Sequence, residues 1–371
     1  MYLTYPVKYL LIDSWHYKLH SVKSRIPDYG KRGMEFLETG KLKPDFLEAL
    51  LGKIEITDKR VVVGPGIGDD AAVLDFRENY LIVKSDPITF VSDRIGWYVV
   101  NVNANDIAAM GGTPRWFLVT ILLPEKHTTI SLLEEIMGDL RRSCGELGIA
   151  LIGGHTEVTH GLENPILSGT MLGEASREQL IKNDRIHEGD VLYVTKGVAV
   201  EATSIIAREK KDEVIERFGE EFYRRCLAYL EQPGISVVQE AKKACDAVEV
   251  SGMHDPTEGG ILSGAYEMVR ASMMDLELEL DRVPVYEETR TLCEYFHLSP
   301  YGCIASGSLL IAVPHSECEG IERAFSTGVQ VFPSLTRVGQ FTKSGGSMYV
   351  TQEGVRKALR PSGKDELTRI L

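Results

Sequence analysis

The chain has 371 residues, of which 43% are hydrophobic, and this length allows two ordinary domains with a core each. Its formal net charge is -13, so nucleic acids and anionic membrane surfaces would meet a repulsive field. No stretch reaches the roughly 18 uncharged apolar residues of a spanning helix, and no signal peptide pattern is present. These properties argue against nucleic acid and membrane as main partners.

The six cysteines are also informative. They include no Cys-x-x-Cys pair, so the sequence predicts neither a zinc ribbon nor a disulfide framework. A reducing cytoplasm fits this pattern best, and we expect an enzyme-sized cytoplasmic protein.

The first part of the chain does not resemble globular sequence. Residues 1–33 mix aromatic and basic side chains without periodicity, which predicts an N-terminal extension or a start codon assigned too early. Apolar residues at helical spacing then predict a helix over Phe46–Ile54. Arg60–Gly64 follows as a strand that runs into a loop.

Strands and helices alternate through the remainder of the first half. The predicted strands are Tyr80–Lys84, Trp116–Leu122, Ile149–Ile152 and Ile166–Leu172, and the predicted helices are Gly96–Met110 and Ser131–Leu147. This alternation predicts an α/β or α+β domain in which helices cover one face of a sheet.

A polar stretch without strong periodicity, Ser176–Glu188, predicts the boundary between two domains. We place the first domain at residues 34–178 and the second at residues 179–371. The second half has predicted strands at Asp190–Thr195, Leu276–Leu280 and Ser308–Val313, and predicted helices over Asp212–Leu230 and after Gly259.

The densest cluster of potential site residues is Gly64–Val73. Three glycines in five residues, including Gly66 and Gly68, let backbone amides approach an anion, and the carboxylates of Asp69 and Asp70 follow at once. Magnesium on nucleotide phosphates uses this combination. A tight turn capped by aspartates is an equally good interpretation of the segment alone. The Gly-Lys-Ser/Thr ending of a P-loop is absent.

Further carboxylate and amide groups lie in the next two elements. Asp86 follows a predicted strand, where it would lie at the rim of the sheet, and a plain turn residue before Pro87 is an equally good interpretation of it alone. On the following helix, Asn103 and Asp106 are three residues apart, and Asn101 and Asn105 are four apart. Asparagine and aspartate are unfavourable inside helices, so their concentration here indicates function more than capping.

Two later segments combine glycine with titratable side chains. His155 follows Gly154 after a predicted strand and has little apolar context to explain it. The segment His254–Ile261 ends a loop and opens a helix whose glycine-rich N-terminus suits a phosphate. An ordinary N-cap at Asp255 or Thr257 is the alternative.

Taken together, the motifs resemble a known family. Their order is Gly-Ile-Gly-Asp-Asp-Ala-Ala-Val, Ser-Asp, Asn-x-Asn-Asp-Ile-Ala-Ala-Met-Gly-Gly-x-Pro, Gly-Gly-x-Thr, Asp-Pro-Thr-x-Gly-Gly and Ala-Ser-Gly-Ser-Leu-Leu-Ile-Ala. This order resembles HypE, and more widely aminoimidazole-ribonucleotide synthetase, thiamine-monophosphate kinase and selenophosphate synthetase. The match spans about residues 34–345, and six motifs in one order make chance similarity improbable.

The resemblance implies an architecture and a chemistry. It implies an α/β (α+β) subunit with two PurM-like domains, in which the N-terminal sheet domain forms a barrel in a homodimer. It further implies ATP bound near the interface, Mg²⁺ held by aspartates, and a small-molecule acceptor. A protein partner in a maturation pathway is also implied.

Site residues carry over by motif position. The implied metal ligands are Asp69, Asp70, Asp86 and Asp106. The implied cofactor-binding residues are Gly66, Gly68, Asn103, Asn105, Gly153, Gly154, Thr257, Gly259 and Gly260, the last three of which also border the acceptor. His155 and Asp255 are the implied catalytic residues.

The chain departs from the family pattern in three places. HypE ends in Pro-Arg-Ile-Cys, whose cysteine carries the carbamoyl group, whereas this chain ends in Leu-Thr-Arg-Ile-Leu and has its last cysteine at Cys318. His155 stands where HypE and the thiamine-phosphate kinases usually have aspartate, for which Glu157 could substitute in part. The reactive cysteine or selenocysteine of selenophosphate synthetase has no counterpart in residues 34–68.

Three functions therefore stay open. The leading hypothesis is a Mg-ATP-dependent enzyme that phosphorylates or activates an oxygen of a small-molecule or carbamoyl-type substrate. One alternative is a thiamine-monophosphate kinase-like enzyme, which His155 and the segment after His254 disfavour. The other is a nucleotide-binding maturation partner without catalysis. A neutral imidazole at His155 could accept a proton or contact a phosphate.

Overall fold

A computed structural model of the chain describes residues 42, 44–68, 70–89, 91, 93–326 and 335–371. These residues belong to one compact unit. The predicted extension at residues 1–33 and the predicted metal ligand Asp69 lie outside the described residues.

A short helix, α1 (Pro44–Leu51), precedes the first of two sheets. This sheet contains β1 (Val61–Val63), β2 (Ala72–Phe76), β3 (Asn79–Lys84), β4 (Pro87–Ile88), β5 (Thr113–Pro124), β6 (Ala150–Thr159) and β7 (Ile166–Ala175). Its order is β1-β2-β3-β7-β5-β6, with β4 beside β7. β5 and β6 run parallel, and the other neighbours run antiparallel.

Two helices cover one face of this sheet. Side chains along β7 alternate between buried and half-buried, because successive residues of a strand point to opposite faces. The buried positions pack under α2 (Ile95–Ala109), which also contacts α3 (Ile130–Leu147). Helix α3 begins where the Thr129 hydroxyl accepts a hydrogen bond from the Leu132 amide, and it ends at Gly148 in the left-handed conformation.

Every residue of α2 is buried, including its asparagines and Asp106. A helix that is enclosed on all sides has no solvent face on which to place polar residues. The polar side chains of α2 must therefore find partners inside the protein, and this requirement organises the site described below.

The second sheet follows β7 along the chain. Its strands are β8 (Val191–Val194), β9 (Gly252–His254), β10 (Met274–Glu279), β11 (Leu310–Val313), β12 (Thr336–Ser344), β13 (Met348–Gln352) and β14 (Val355–Leu359). Their order is β14-β13-β10-β12-β8-β11-β9, with β10 and β13 parallel. Its helices are α4 (Val200–Glu209), α5 (Lys211–Phe218), α6 (Glu220–Ala228), α7 (Val238–Ala247), α8 (Gly260–Ser272), α9 (Glu287–Tyr295) and α10 (Cys318–Phe325).

The two sheets with their helices confirm the predicted α/β fold class. The predicted helix Asp212–Leu230 is divided into α5 and α6, because Gly219 adopts a positive φ that a continuous helix does not allow. The predicted strand at Ile149–Ile152 continues as β6 to Thr159, so His155 lies within a strand and not after it. The predicted domain boundary falls between β7 and β8, and the domain limits stay a prediction.

Among the described residues, no helix is long and apolar enough to cross a membrane.

Gly111 offers a test of how tightly the turn after α2 is packed. A Cβ atom here would lie 2.0 Å from the Gln179 carbonyl oxygen, and φ is +76°. We expect Gly111→Ala to lower the free energy of unfolding by about 2 kcal/mol or more in urea titrations. Gly138→Ala is the matched control, because a Cβ there meets nothing within 4 Å. It should raise stability by about 0.5–1 kcal/mol. Equal effects of the two changes would contradict the prediction.

Candidate functional site

The side chain of Lys84 lies at the centre of a cluster of carboxylates. Lys84 is the last residue of β3, and its Nζ lies 3.2 Å from Asp86 Oδ2 and 3.1 Å from Asp106 Oδ1. Burial alone would lower the pKa of Lys84, but Asp106 and Asp86 raise it above its ordinary value. The lysine is therefore an ammonium ion that neutralises part of the cluster.

Asp86 is held in place by the amide of Asn103. The Asp86 amide donates a hydrogen bond of 2.9 Å to Asn103 Oδ1, and Asn103 Nδ2 donates to the Asp86 carbonyl at 3.2 Å. Asn103 Nδ2 also donates to the Val99 carbonyl at 2.8 Å. Both donors of this amide are thus used within the chain, so Asn103 positions Asp86. The predicted contact of Asn103 with a nucleotide stays a prediction.

Asn105 makes its hydrogen bonds to the second half of the chain. Its Nδ2 donates to the Ile235 carbonyl and its Oδ1 accepts from the Val237 amide, both at 2.8 Å. These bonds give Asn105 a structural function, because they join α2 to the start of α7. The predicted contact of Asn105 with a nucleotide stays a prediction. The high density of asparagine in α2 therefore has a structural explanation, and the functional one stays a prediction.

His254, at the end of β9, lies between two carboxylates. Its Nδ1 is 2.5 Å from Asp70 Oδ1, and its Nε2 is 2.8 Å from Glu267 Oε2 on α8. Burial lowers the pKa of His254, but Asp70 and Glu267 raise it well above its ordinary value, so a proton is held here. With Nε2–H donated to Glu267, a metal ion could replace the proton between Nδ1 and Asp70.

Asp255, the next residue, has a carboxyl group that is almost completely buried. It is 3% exposed, and neither of its oxygens has a hydrogen-bond partner among the described residues. Burial and the negative charge of Asp70 raise the pKa of Asp255 to about 8. Burial likewise raises the pKa of Asp106, although Lys84 lowers it.

These carboxyl groups fit a hard divalent cation. Ligand atoms of Asp70, His254 and Asp255 lie within 4.8 Å of one another. Asp70 Oδ2 and Asp106 Oδ2 are buried without a hydrogen-bond partner in the described part of the chain. A buried, unpartnered carboxylate oxygen is costly, and a cation would satisfy it. The predicted ligands Asp70, Asp86 and Asp106 are thus brought together with Asp255, around Lys84 and His254.

The predicted glycines differ in their surroundings. Gly68 packs against α8, where a Cβ would lie 2.5 Å from the Glu267 carbonyl oxygen, whereas Gly66 has open space around it. The Gly68 carbonyl accepts a hydrogen bond of 2.6 Å from Asn183. Gly68 therefore has a packing function, and Gly66 leaves room for a ligand to approach.

The glycines before α8 are also used internally. The Gly259 amide donates a hydrogen bond of 2.8 Å to the Asp365 carboxylate, and the Gly260 amide donates to the Thr257 carbonyl at 3.0 Å. An anionic side chain of the protein thus lies where the sequence predicted a phosphate. Ligand contacts at Thr257, Gly259 and Gly260 stay predictions.

His155 lies apart from the cluster around Lys84. It is on β6, the edge strand of the first sheet, where its side chain is 64% exposed and its Nε2 lies 3.1 Å from Glu157 Oε2. Gly154, one residue before, packs directly over the Val119 carbonyl oxygen, whereas Gly153 is open. A catalytic function of His155 and nucleotide contacts at the two glycines stay predictions.

Four further side chains were not assigned a role from sequence. They are Lys84, His254, Glu267 and Asp365. Lys84 stands two residues before Asp86 and His254 directly precedes Asp255, and that adjacency was a usable signal. Glu267 and Asp365 are ordinary polar residues in their local sequence, so only their spatial position reveals them.

Comparison with known proteins agrees with this fold. The model of the AIR synthase related protein N-terminal domain matches residues 68–175, and that of its C-terminal domain matches residues 187–350. A putative hydrogenase expression/formation protein of Methanocaldococcus jannaschii is 24% identical over 76% of this chain and 82% of its own length. A selenide, water dikinase of Caldanaerobacter subterraneus is 29% identical over 77% of this chain and 80% of its own length.

A solved structure gives the same picture of the fold. AaThiL complexed with AMPPCP and TMP superposes with a TM-score of 0.66 at 20% identity, over 87% of this chain and 94% of that chain. The fold and site define a class of two-sheet α/β proteins with a buried carboxylate cluster. Because the two domain models together cover well over half of it, the chain belongs to the AIR synthase related family. The family resemblance expected from the motifs is confirmed.

The raised pKa of Asp255 predicts a pH dependence of stability without metal. The folded group has a pKa of about 8 against an ordinary value of 3.8, so between these values the folded state binds more protons than the unfolded state. The contribution of Asp255 to the free energy of unfolding is then complete below the lower pKa value. It decreases as the pH rises and is lost once the pH passes the higher pKa value. We expect Asp255→Asn to gain stability relative to the wild type from about pH 4 to about pH 8, with little further gain above that range.

The measurement is urea unfolding with EDTA across this range. Asp212→Asn, an exposed change on α5, serves as the control and should follow the wild type at every pH. Parallel curves for Asp255→Asn and the wild type would show that Asp255 does not take up a proton on folding.

Proposed function

We propose that this chain binds Mg-ATP at the carboxylate cluster and transfers the γ-phosphoryl group to an oxygen of a small-molecule or carbamoyl-type acceptor. The observation that carries the proposal is the set of buried carboxylate oxygens without hydrogen-bond partners, on Asp70, Asp106 and Asp255, beside the ammonium of Lys84. Phosphoryl transfer depends mainly on positioning and on neutralising spread negative charge. A cluster that collects cations next to an open glycine loop supplies both.

Different residues of the cluster have different functions in the proposed reaction. Asp70, Asp86 and Asp106, with Asp69 from the sequence motif, would hold Mg²⁺, which when bound neutralises charge on the phosphates. Lys84 adds a fixed positive charge beside Asp86. The acceptor oxygen forms a bond to the γ-phosphorus while the bond to the β–γ bridging oxygen breaks, which releases ADP. The positive charge of bound Mg²⁺ would lower the pKa of Asp255 from about 8, and the carboxylate form would then accept the acceptor's proton near neutral pH.

Two alternatives are kept. A thiamine-monophosphate kinase-like activity has the AaThiL fold likeness in its favour. A nucleotide-binding maturation partner without catalysis has the name of the hydrogenase expression/formation relative in its favour. Formation of ADP with an acceptor separates the enzyme from the partner, since the latter would bind nucleotide without turnover.

The site is tested by calorimetric titration with AMPPCP, with and without Mg²⁺. We expect Asp70→Asn and Asp86→Asn each to weaken Mg²⁺-dependent binding about tenfold or more, because each removes a carboxylate from the cation. Asp212→Asn is the control of matched chemistry. Wild-type binding that is indifferent to Mg²⁺ and to both changes would overturn the proposal.

The same titration, together with an assay of ADP formation from ATP, decides the role of His155. His155→Ala removes an exposed imidazole and should leave thermal stability unchanged. Weaker Mg-AMPPCP binding at unchanged stability would support the predicted phosphate contact. Unchanged binding and turnover would remove His155 from the active site.

We also propose that the chain forms a homodimer through β6. This strand lies at the end of the first sheet and exposes Ile152 and Val158, each 56% accessible. Long exposed edge strands with apolar side chains pair readily with another strand. We expect light scattering to give twice the chain mass for the wild type and for Val355→Lys, but the single-chain mass for Ile152→Lys. A monomeric wild type would contradict the dimer.

A further inference from the structure

A cavity of about 500 Å³ opens beside the carboxylate cluster, between the two halves of the described chain. Asp86 and the following residues of the first half form one wall, and α4 and the segment around Asp365 form the opposite wall. This volume is in the range that holds a small organic molecule. Because Asp86 belongs to both the cavity and the carboxylate cluster, a molecule bound here would lie next to the proposed phosphoryl site.

The charges that line the cavity all have one sign. Its described lining residues include the carboxyl groups of Asp86, Glu201, Glu258 and Asp365, and they include no lysine, arginine or histidine. Lys84 already pairs with Asp86, and two backbone amides donate to Asp365. Glu201, whose Oε2 has no hydrogen-bond partner among the described residues, is therefore the carboxyl group on which a ligand in the cavity would act.

Glu201 has a buried carboxyl oxygen that is available to a ligand. It lies on α4, is 4% exposed, and its Oε2 has no hydrogen-bond partner among the residues that the structure describes. Burial raises its pKa to about 7, and the hydroxyl of Ser306 counteracts this only in part. An unpartnered buried carboxylate is unfavourable unless a donor reaches it, and a cation would both ionise it and pair with it.

Apart from the carboxyl groups and four hydroxyl side chains, the lining is apolar. Ile88 and Val102 come from the first half, and Ile205 and Ile304 come from the second. An apolar wall with a few convergent polar groups is the usual composition of a small-molecule site. The polar groups then determine which head group is selected.

We infer that this cavity binds the phosphoryl acceptor, and that the acceptor is a small molecule with a cationic nitrogen head group on an apolar body and without phosphate or carboxylate. The inference rests on the proposed function, of which it names the substrate class. A phosphate or carboxylate placed against Glu201 would be repelled and would find no basic partner in the described lining.

The test uses three probes of matched shape and different charge: benzamidine, benzamide and benzoate. Each is titrated calorimetrically into the full chain with Mg-AMPPCP present. We expect benzamidine to bind most tightly and benzoate most weakly. Glu201→Gln should weaken benzamidine about tenfold and leave benzamide unchanged, because a charge-assisted hydrogen bond is lost. Glu209→Gln, an exposed change on the same helix, should alter neither.

A second variant keeps the test informative if Glu201→Gln does not fold. Val91 lines the cavity and is only half-buried, so Val91→Lys adds a positive charge with little packing cost. It should shift the preference toward benzoate. Equal binding of the three probes to the wild type, or an order unaffected by both cavity variants, would overturn the inference.

The outcome separates the two proposals. If AMPPCP binds with Mg²⁺ but benzamidine has no advantage, the acceptor class is wrong and the nucleotide site stands. If benzamidine is preferred in a Glu201-dependent way but AMPPCP does not bind, the cation cavity stands and the proposed phosphoryl transfer falls.

Discussion

The ammonium group of Lys84 is the charge on which the rest of the site depends. Asp86 and Asp106 lie within about 3 Å of it, and Asp70 and Asp255 act on the same region electrostatically. Like charges repel strongly when water is excluded, so several carboxyl groups can share a small volume only with protons or cations among them. Lys84, the proton on His254 and the proposed Mg²⁺ each supply positive charge that lets the carboxyl groups lie close together.

The site exists only where the two halves of the chain meet. Asn105 of α2 bonds to the backbone at Ile235 and Val237, and Asn183 donates to the carbonyls of Gly68 and Met253. These amide bonds fix the distance between the carboxylates of the first half and the segment His254–Asp255 of the second. A change in that junction would alter the chemistry of the site without touching a ligand.

The geometry also orders the proposed reaction in space. Asp86 belongs both to the carboxylate cluster and to the lining of the acid-lined cavity. A nucleotide bound at the cluster and an acceptor bound in the cavity would therefore meet at Asp86. Sharing one carboxylate between the two sites makes each sensitive to the charge of what occupies the other.

The sequence by itself determined the alternating α/β pattern, the family and the main carboxylates, because each is written in local order and spacing. Asp70, Asp86 and Asp255 could be named because they stand beside glycines or at strand ends. Only the tertiary structure decided that His254 lies between Asp70 and Glu267, and that Asp365 accepts the Gly259 amide. Such pairs are far apart in sequence, and the direction in which each side chain points depends on how the two sheets pack.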